Sequence, residues 1–110
     1  MKIYFLSTST ACPEQYSVYD WVGTQIGYVR LRWGELVLEY PSVNCELIYE
    51  HSFEDKMKGV FDSQDERKQY LQEMTEALKD KLHIEEEVEF VVVNDPDILM
   101  DIIYGKGEEV

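Results

Sequence analysis

The chain has 110 residues, 45% of them hydrophobic and 30% charged, which is the make-up of a single folded domain and excludes a disordered or collagen-like chain. Its formal net charge is −13, so a phosphate backbone or an anionic membrane surface repels it, and direct binding to nucleic acid or to a membrane is not expected. What remains are a neutral small molecule, a metal cation or a protein partner with a basic surface.

The first element expected is a short strand over Ile3–Leu6, a run too brief for a signal-peptide core. No segment approaches the ~20 apolar residues of a membrane span, and a cytoplasmic location is the expectation. Cys12 and Cys45 form no Cys-x-x-Cys pair and no disulfide framework, so two reduced structural thiols are expected. Cys12, beside Pro13 in a predicted loop, is the one local candidate for a reactive thiol, but no base or cation adjoins it.

After Pro13, Tyr16–Trp21 reads as a strand rich in aromatic and β-branched residues, and Asp20–Thr24, with Gly23, as a turn. Tyr28–Arg32 alternates with period two and Leu36–Tyr40 follows across Trp33-Gly34, a spacing that fits a two-residue hairpin with Gly34 at positive φ. The register predicted pairs Arg32 with Glu35, Leu31 with Leu36, Arg30 with Val37, Val29 with Leu38 and Tyr28 with Glu39. Val29, Leu31, Leu36 and Leu38 then share an apolar face, while Arg30, Arg32, Glu35 and Glu39 share the other and neutralise one another. Pro41 ends that strand, and Glu46–Glu50 is expected to form the next.

The period then changes. Ser63-x-x-Glu66 has capping-box form, and Tyr70, Leu71, Met74, Ala77, Leu78 and Leu82 recur at helical spacing, predicting one long amphipathic helix from about Asp62 to Leu82. Leu71, Met74 and Leu78 are expected to bury against the sheet. Val88–Val93 reads as a largely buried strand. Asp95-Pro96 is an N-cap followed by proline at the first helical position, opening a short helix over Pro96–Tyr104 that stops at Gly105. The fold class expected is α+β: an antiparallel meander of four to six strands packed by one long helix, with a short C-terminal helix, in a single domain over residues 1–110.

No local motif defines a catalytic, cofactor or metal site. Asp95-x-Asp97 opens like a calcium loop, yet Met100 and Lys106 stand where that loop needs glycine and glutamate. His51 and His83 lack zinc partners at ligand spacing. There is no glycine-rich phosphate loop or dinucleotide fingerprint, although a site assembled from distant residues leaves no local trace. Candidate interaction residues fall in two groups. Arg30 and Arg32 on alternating positions, with Trp33 at the turn, form the first. The second is the acidic stretch between Lys81 and Lys106, represented by Glu85, Glu86, Glu87 and Asp97. The plainer readings are internal neutralisation of the arginines by Glu35 and Glu39, and a solvated rim around an apolar strand for the acidic stretch.

Tyr16-Ser-Val-Tyr-Asp20, Gly27-Tyr-Val-Arg-Leu-Arg-Trp-Gly34, Tyr40-Pro41, Ile48-Tyr-Glu50 and Gly59-Val-Phe-Asp62, with Asp65-Glu-Arg67 and Tyr70-Leu71, resemble a family of uncharacterised small proteins of bacteriophages and bacterial genomes. The resemblance covers about half of the chain and implies a phage or prophage setting, without an activity or a functional residue. The function expected is therefore a non-enzymatic interaction protein. The alternatives are a small enzyme or ligand-binding domain with a dispersed site, and a DNA mimic, against which Arg67, Lys68, Lys79 and Lys81 interrupt the acids of the helix.

Overall fold

The computed structural model describes residues 1–9 and 13–105, so Cys12 and Lys106 lie outside the described residues. Six strands, β1 (Lys2–Ser9), β2 (Glu14–Tyr19), β3 (Gln25–Arg32), β4 (Glu35–Tyr40), β5 (Glu46–Ser52) and β6 (Glu89–Val93), form one sheet in the order β5-β4-β3-β2-β1-β6. Two helices, α1 (Gln64–Leu82) and α2 (Pro96–Tyr104), complete an α+β fold. The first five strands are an antiparallel meander. α1 then carries the chain from one edge of the sheet to the other, where β6 pairs with β1 in parallel. The one departure from an antiparallel sheet is thus the pairing made by a crossover helix.

The β3–β4 register is the one the side-chain pattern predicts, from Tyr28 opposite Glu39 to Arg32 opposite Glu35. Val29, Leu31, Leu36 and Leu38 all bury on the α1 face. At the turn both Trp33 and Gly34 have positive φ, 54° and 76°. A side chain is excluded at Gly34, because a Cβ there would lie 2.7 Å from the Asp55 carbonyl oxygen. The loop after β5 is the cause of that crowding: the Gly34 amide donates to the Lys58 carbonyl and its carbonyl accepts from the Phe53 amide, both at 2.8 Å.

Three strand expectations are corrected. β1 runs through Ser9, beyond Leu6, because β2 goes on pairing with it at Ser7 and Ser9 after the partnership with β6 has ended at Leu6. β2 spans Glu14–Tyr19 where Tyr16–Trp21 is expected from composition, since the Asp20 carboxylate accepts from the Val22 and Thr24 amides and turns the chain one residue after Tyr19. The valine run that reads as a largely buried strand is an edge strand: Val88 and Val93 are buried, Phe90 and Val91 half-buried, and Val92 exposed.

α1 begins at Ser63, whose hydroxyl accepts from the Glu66 amide at 3.0 Å. Glu66 reaches back one residue further than a capping box requires, accepting from the Asp62 amide at 2.7 Å. Leu71, Met74 and Leu78 are fully buried against Ile3, Phe5, Val18, Val29, Leu31, Leu36 and Leu38. α2 is capped by Asp95, which accepts from the Asp97 amide at 2.8 Å, and it ends at Gly105 in the left-handed conformation. Its Leu99 and Ile103 cover Tyr4, Leu6 and Val93 on the opposite face of the sheet. Among the described residues no helix is long and apolar enough to cross a membrane.

Candidate functional site

A six-stranded sheet is about 24 Å wide at the usual strand spacing, whereas one helix is about 10–12 Å thick, so α1 alone cannot cover the inner face. The two sides of the helix solve this differently. Toward β5 the gap is filled by rings from the strand, the loop and the helix: Tyr70 of α1 meets His51, Phe53 and Phe61, and His51 meets Phe53, with centroid separations of 4.6–5.8 Å. The Lys58 ammonium caps this cluster 5.0 Å above the Phe53 ring. It is buried between Asp62 and Glu66, at 2.9 and 3.1 Å; burial disfavours its charge, but the two carboxylates outweigh that and raise its pKa. Tyr49 donates to Glu73 at 2.5 Å, and Lys81 bonds Glu46 at 2.7 Å.

Toward β6 the gap stays open, as a cleft of about 690 Å³. α1 presents Gln64, Asp65, Lys68, Leu71, Gln72 and Glu76 along one wall. Glu87, Val88, Glu89, Phe90 and Val92 line the other. At its head the cleft meets a polar pocket of about 450 Å³ bounded by Ser7, Glu14, Tyr16, Gln64, Arg67, Val92 and Asn94. That pocket lies at the carboxyl ends of the parallel strands β1 and β6, the place where open sheets commonly take ligands.

Glu14 is the buried charge of this pocket, with 2% of its surface exposed. It sits on the inner face because it keeps the alternation of Tyr16 and Val18 on β2. Oε2 accepts from Arg67 Nε at 2.6 Å and from the Tyr16 hydroxyl; Oε1 accepts from Arg67 Nη2 at 3.1 Å and from the Phe61 amide at 3.2 Å. Burial pushes the carboxyl up, but these donors and the guanidinium charge outweigh it and hold it below the usual carboxylate range. Tyr16 moves up, through burial and then through Glu14, and stays protonated. A carboxylate offers about four acceptor positions, and here four donors fill them. Glu14 is therefore a strut joining β2, the loop before α1 and α1, with no lone pair left to take a proton from a ligand.

The candidate residues read from the sequence are not brought together. Glu85, Glu86 and Glu87 are exposed on the connection into β6, and of these Glu87 lines the cleft. Asp97 is exposed in the first turn of α2, past the other end of β6. Arg30, Arg32 and Trp33 lie apart from this cleft; Arg32 and Trp33 border a separate hollow of about 320 Å³ with Pro13 and Met57, and Trp33 is 62% exposed. The mutual neutralisation expected of Arg30, Arg32, Glu35 and Glu39 does not form. Glu35 instead bonds Ser52 at 2.7 Å and Lys56 at 3.6 Å, and Glu39 accepts from the Asn44 amide at 3.0 Å, because the end of β5 and the loops on either side of it reach these carboxylates first. Cys45 is an exposed free thiol in the β4–β5 turn and not a packed structural one. Among the described residues no three His, Cys, Asp or Glu side chains gather as a metal site.

Glu14, Arg67, Lys68, Phe90 and Val92 have no part in the sequence reading of the site. Carrying the period-two pattern of β2 back from Tyr16 would have placed Glu14 on the apolar face, a buried acid that demands a cation. Compared with known proteins, the chain matches no family model, no curated protein and no solved structure.

Proposed function

We propose that this chain is a non-enzymatic interaction protein that docks its α1–β6 side on a basic surface of a host or phage protein, in the phage or prophage setting that the sequence resemblance implies. The observation that carries this reading is the charge of the cleft. Asp65, Glu76, Glu87 and Glu89 line it, against Lys68 and an Arg67 already neutralised by Glu14. With a net charge of −13 behind it, such a cleft favours encounter with a cationic partner.

The test is affinity capture from host lysate at two salt concentrations, beside a variant carrying Glu87→Lys and Glu89→Lys. A partner retained at low salt, released at high salt and lost by the variant supports the reading. A partner held equally by both proteins overturns it. Competition by duplex DNA for that partner's basic face would mark the special case of a DNA mimic.

A second reading, a small-ligand domain, draws on the convergence of Ser7, Gln64 and Asn94 around Arg67. Arg67 Nη1 bonds Gln64 at 2.8 Å, leaving further guanidinium N–H groups for a carbonyl or a small anion. Ligand-induced thermal stabilisation lost on Asn94→Ala would favour it.

A further inference from the structure

We propose that the outer edge of β6 is a strand-addition site, which takes an extended segment of a partner protein with alternating apolar and basic side chains. The proposal rests on the acidic docking reading above and deepens it. β6 is the last strand of the sheet, and among the described residues nothing pairs with its outer side. The Glu89 amide donates to the Met1 carbonyl at 3.0 Å, so Glu89, Val91 and Val93 turn their backbone groups toward β1. By alternation, Phe90 and Val92 turn their N–H and C=O groups to the open edge.

Natural edge strands are guarded by lysine, proline, bulges or inward charges. Phe90-Val91-Val92-Val93 carries none of these, and its pairing with β1 runs without a register shift. The Phe90 and Val92 side chains point to the α1 side, where they and Leu71 form an apolar floor in the cleft. A strand paired with β6 would lay every second side chain on this floor. The side chains between them would point to the other face of the sheet, where Glu89 stands by its alternation with Phe90 on β6, with Asp95 and Asp97 past the end of that strand, while Asp65, Glu76 and Glu87 border the floor itself.

The same carboxylates decide against a second copy as the occupant. Antiparallel pairing of two β6 strands centred on Val91 would set Glu87 of each copy opposite Asp95 of the other, between chains of net charge −13. A basic segment relieves that charge.

The probe is an eight-residue peptide of alternating lysine and valine, added to the full chain, with amide exchange followed by NMR. Controls are the glutamate–valine peptide and two N-methylated forms, one methylated at the valines and one at the lysines. Saturating lysine–valine peptide should slow exchange at Phe90 and Val92 by about tenfold or more and leave Val91 and Val93 unchanged. Affinity should fall about tenfold from low to high salt, and only one of the methylated forms should lose binding. The glutamate–valine peptide should not bind.

Salt-sensitive binding without slowed exchange at Phe90 and Val92 overturns strand addition while leaving acidic docking standing. Equal binding of both methylated forms does the same. Protection at Phe90 and Val92 in the free protein that grows with its concentration assigns the edge to another copy and overturns the basic occupant. Absence of binding by the lysine–valine peptide also overturns the edge proposal, and the capture experiment then judges the docking reading independently.

Discussion

The two edges of the sheet are built on opposite plans, although the same helix lies between them. β5 has a register shift against β4 between Leu38 and Glu39, carries Glu46, Glu50, His51 and Ser52, and is tied to α1 through Tyr49–Glu73 and Lys81–Glu46. β6 has an unbroken register, four apolar residues in succession, and a cleft where β5 has packed rings. The first edge shows the protection by which sheets avoid unwanted pairing. The second has only Glu89 at its start, and the sparseness of its protection carries information, since one sequence has guarded one side far more fully than the other.

The largest expected effect comes from breaking the strut at the head of the cleft. Arg67→Ala leaves Glu14 buried and ionised without its cation and should cost about 3–5 kcal/mol in chemical denaturation. A loss under about 1 kcal/mol would mean that water reaches Glu14 and that the β6 side is looser than its geometry implies.

Leu78→Ala, in the spine that both sides of the helix share, should cost about 2–4 kcal/mol and raise amide exchange at both edges together. Faster exchange at β5 alone would show that the edges unfold separately.

Acid provides the next test. The Glu14 carboxyl titrates below its ordinary value of 4.5 when folded, so the unfolded chain binds the extra proton and stability rises with pH across that interval. Its contribution is complete above about pH 5 and is lost as pH falls through the depressed native value. Glu14→Gln should flatten the acid limb of a stability–pH curve. An unchanged limb would assign acid unfolding to other carboxylates.

The smallest effects belong to the edges themselves. Lys81→Ala removes a partly exposed pair and should cost under about 1 kcal/mol, in a salt-sensitive manner. Val92→Lys should change stability by about 0.5 kcal/mol or less, because Val92 is 39% exposed, yet it should weaken the lysine–valine peptide several-fold. A Val92→Lys protein that bound the peptide unchanged would erase the contrast between the two edges.

Local chemistry determined much of this fold in advance. The β3–β4 register followed from Val29, Leu31, Leu36 and Leu38, since a slip of one residue would have put the apolar pair of one strand on the face opposite to that of the other. Ser63, Asp95 and Gly105 marked helix ends through groups within a few residues of themselves, and the α1 stripe named its own buried positions. Tertiary structure alone decided what depends on which strand arrives beside which. A run of valines has the same composition at a sheet's centre and at its edge, and only the crossing of α1 to the far side of β1 made β6 an open edge. Glu14 and Arg67 are 53 residues apart and carry no shared pattern, so their pairing became visible only when β2 and α1 met. The sequence thus settled the elements, because caps and periodicity act over short range. The cleft, its strut and its free edge were left to packing, because they arise where distant elements meet or fail to meet.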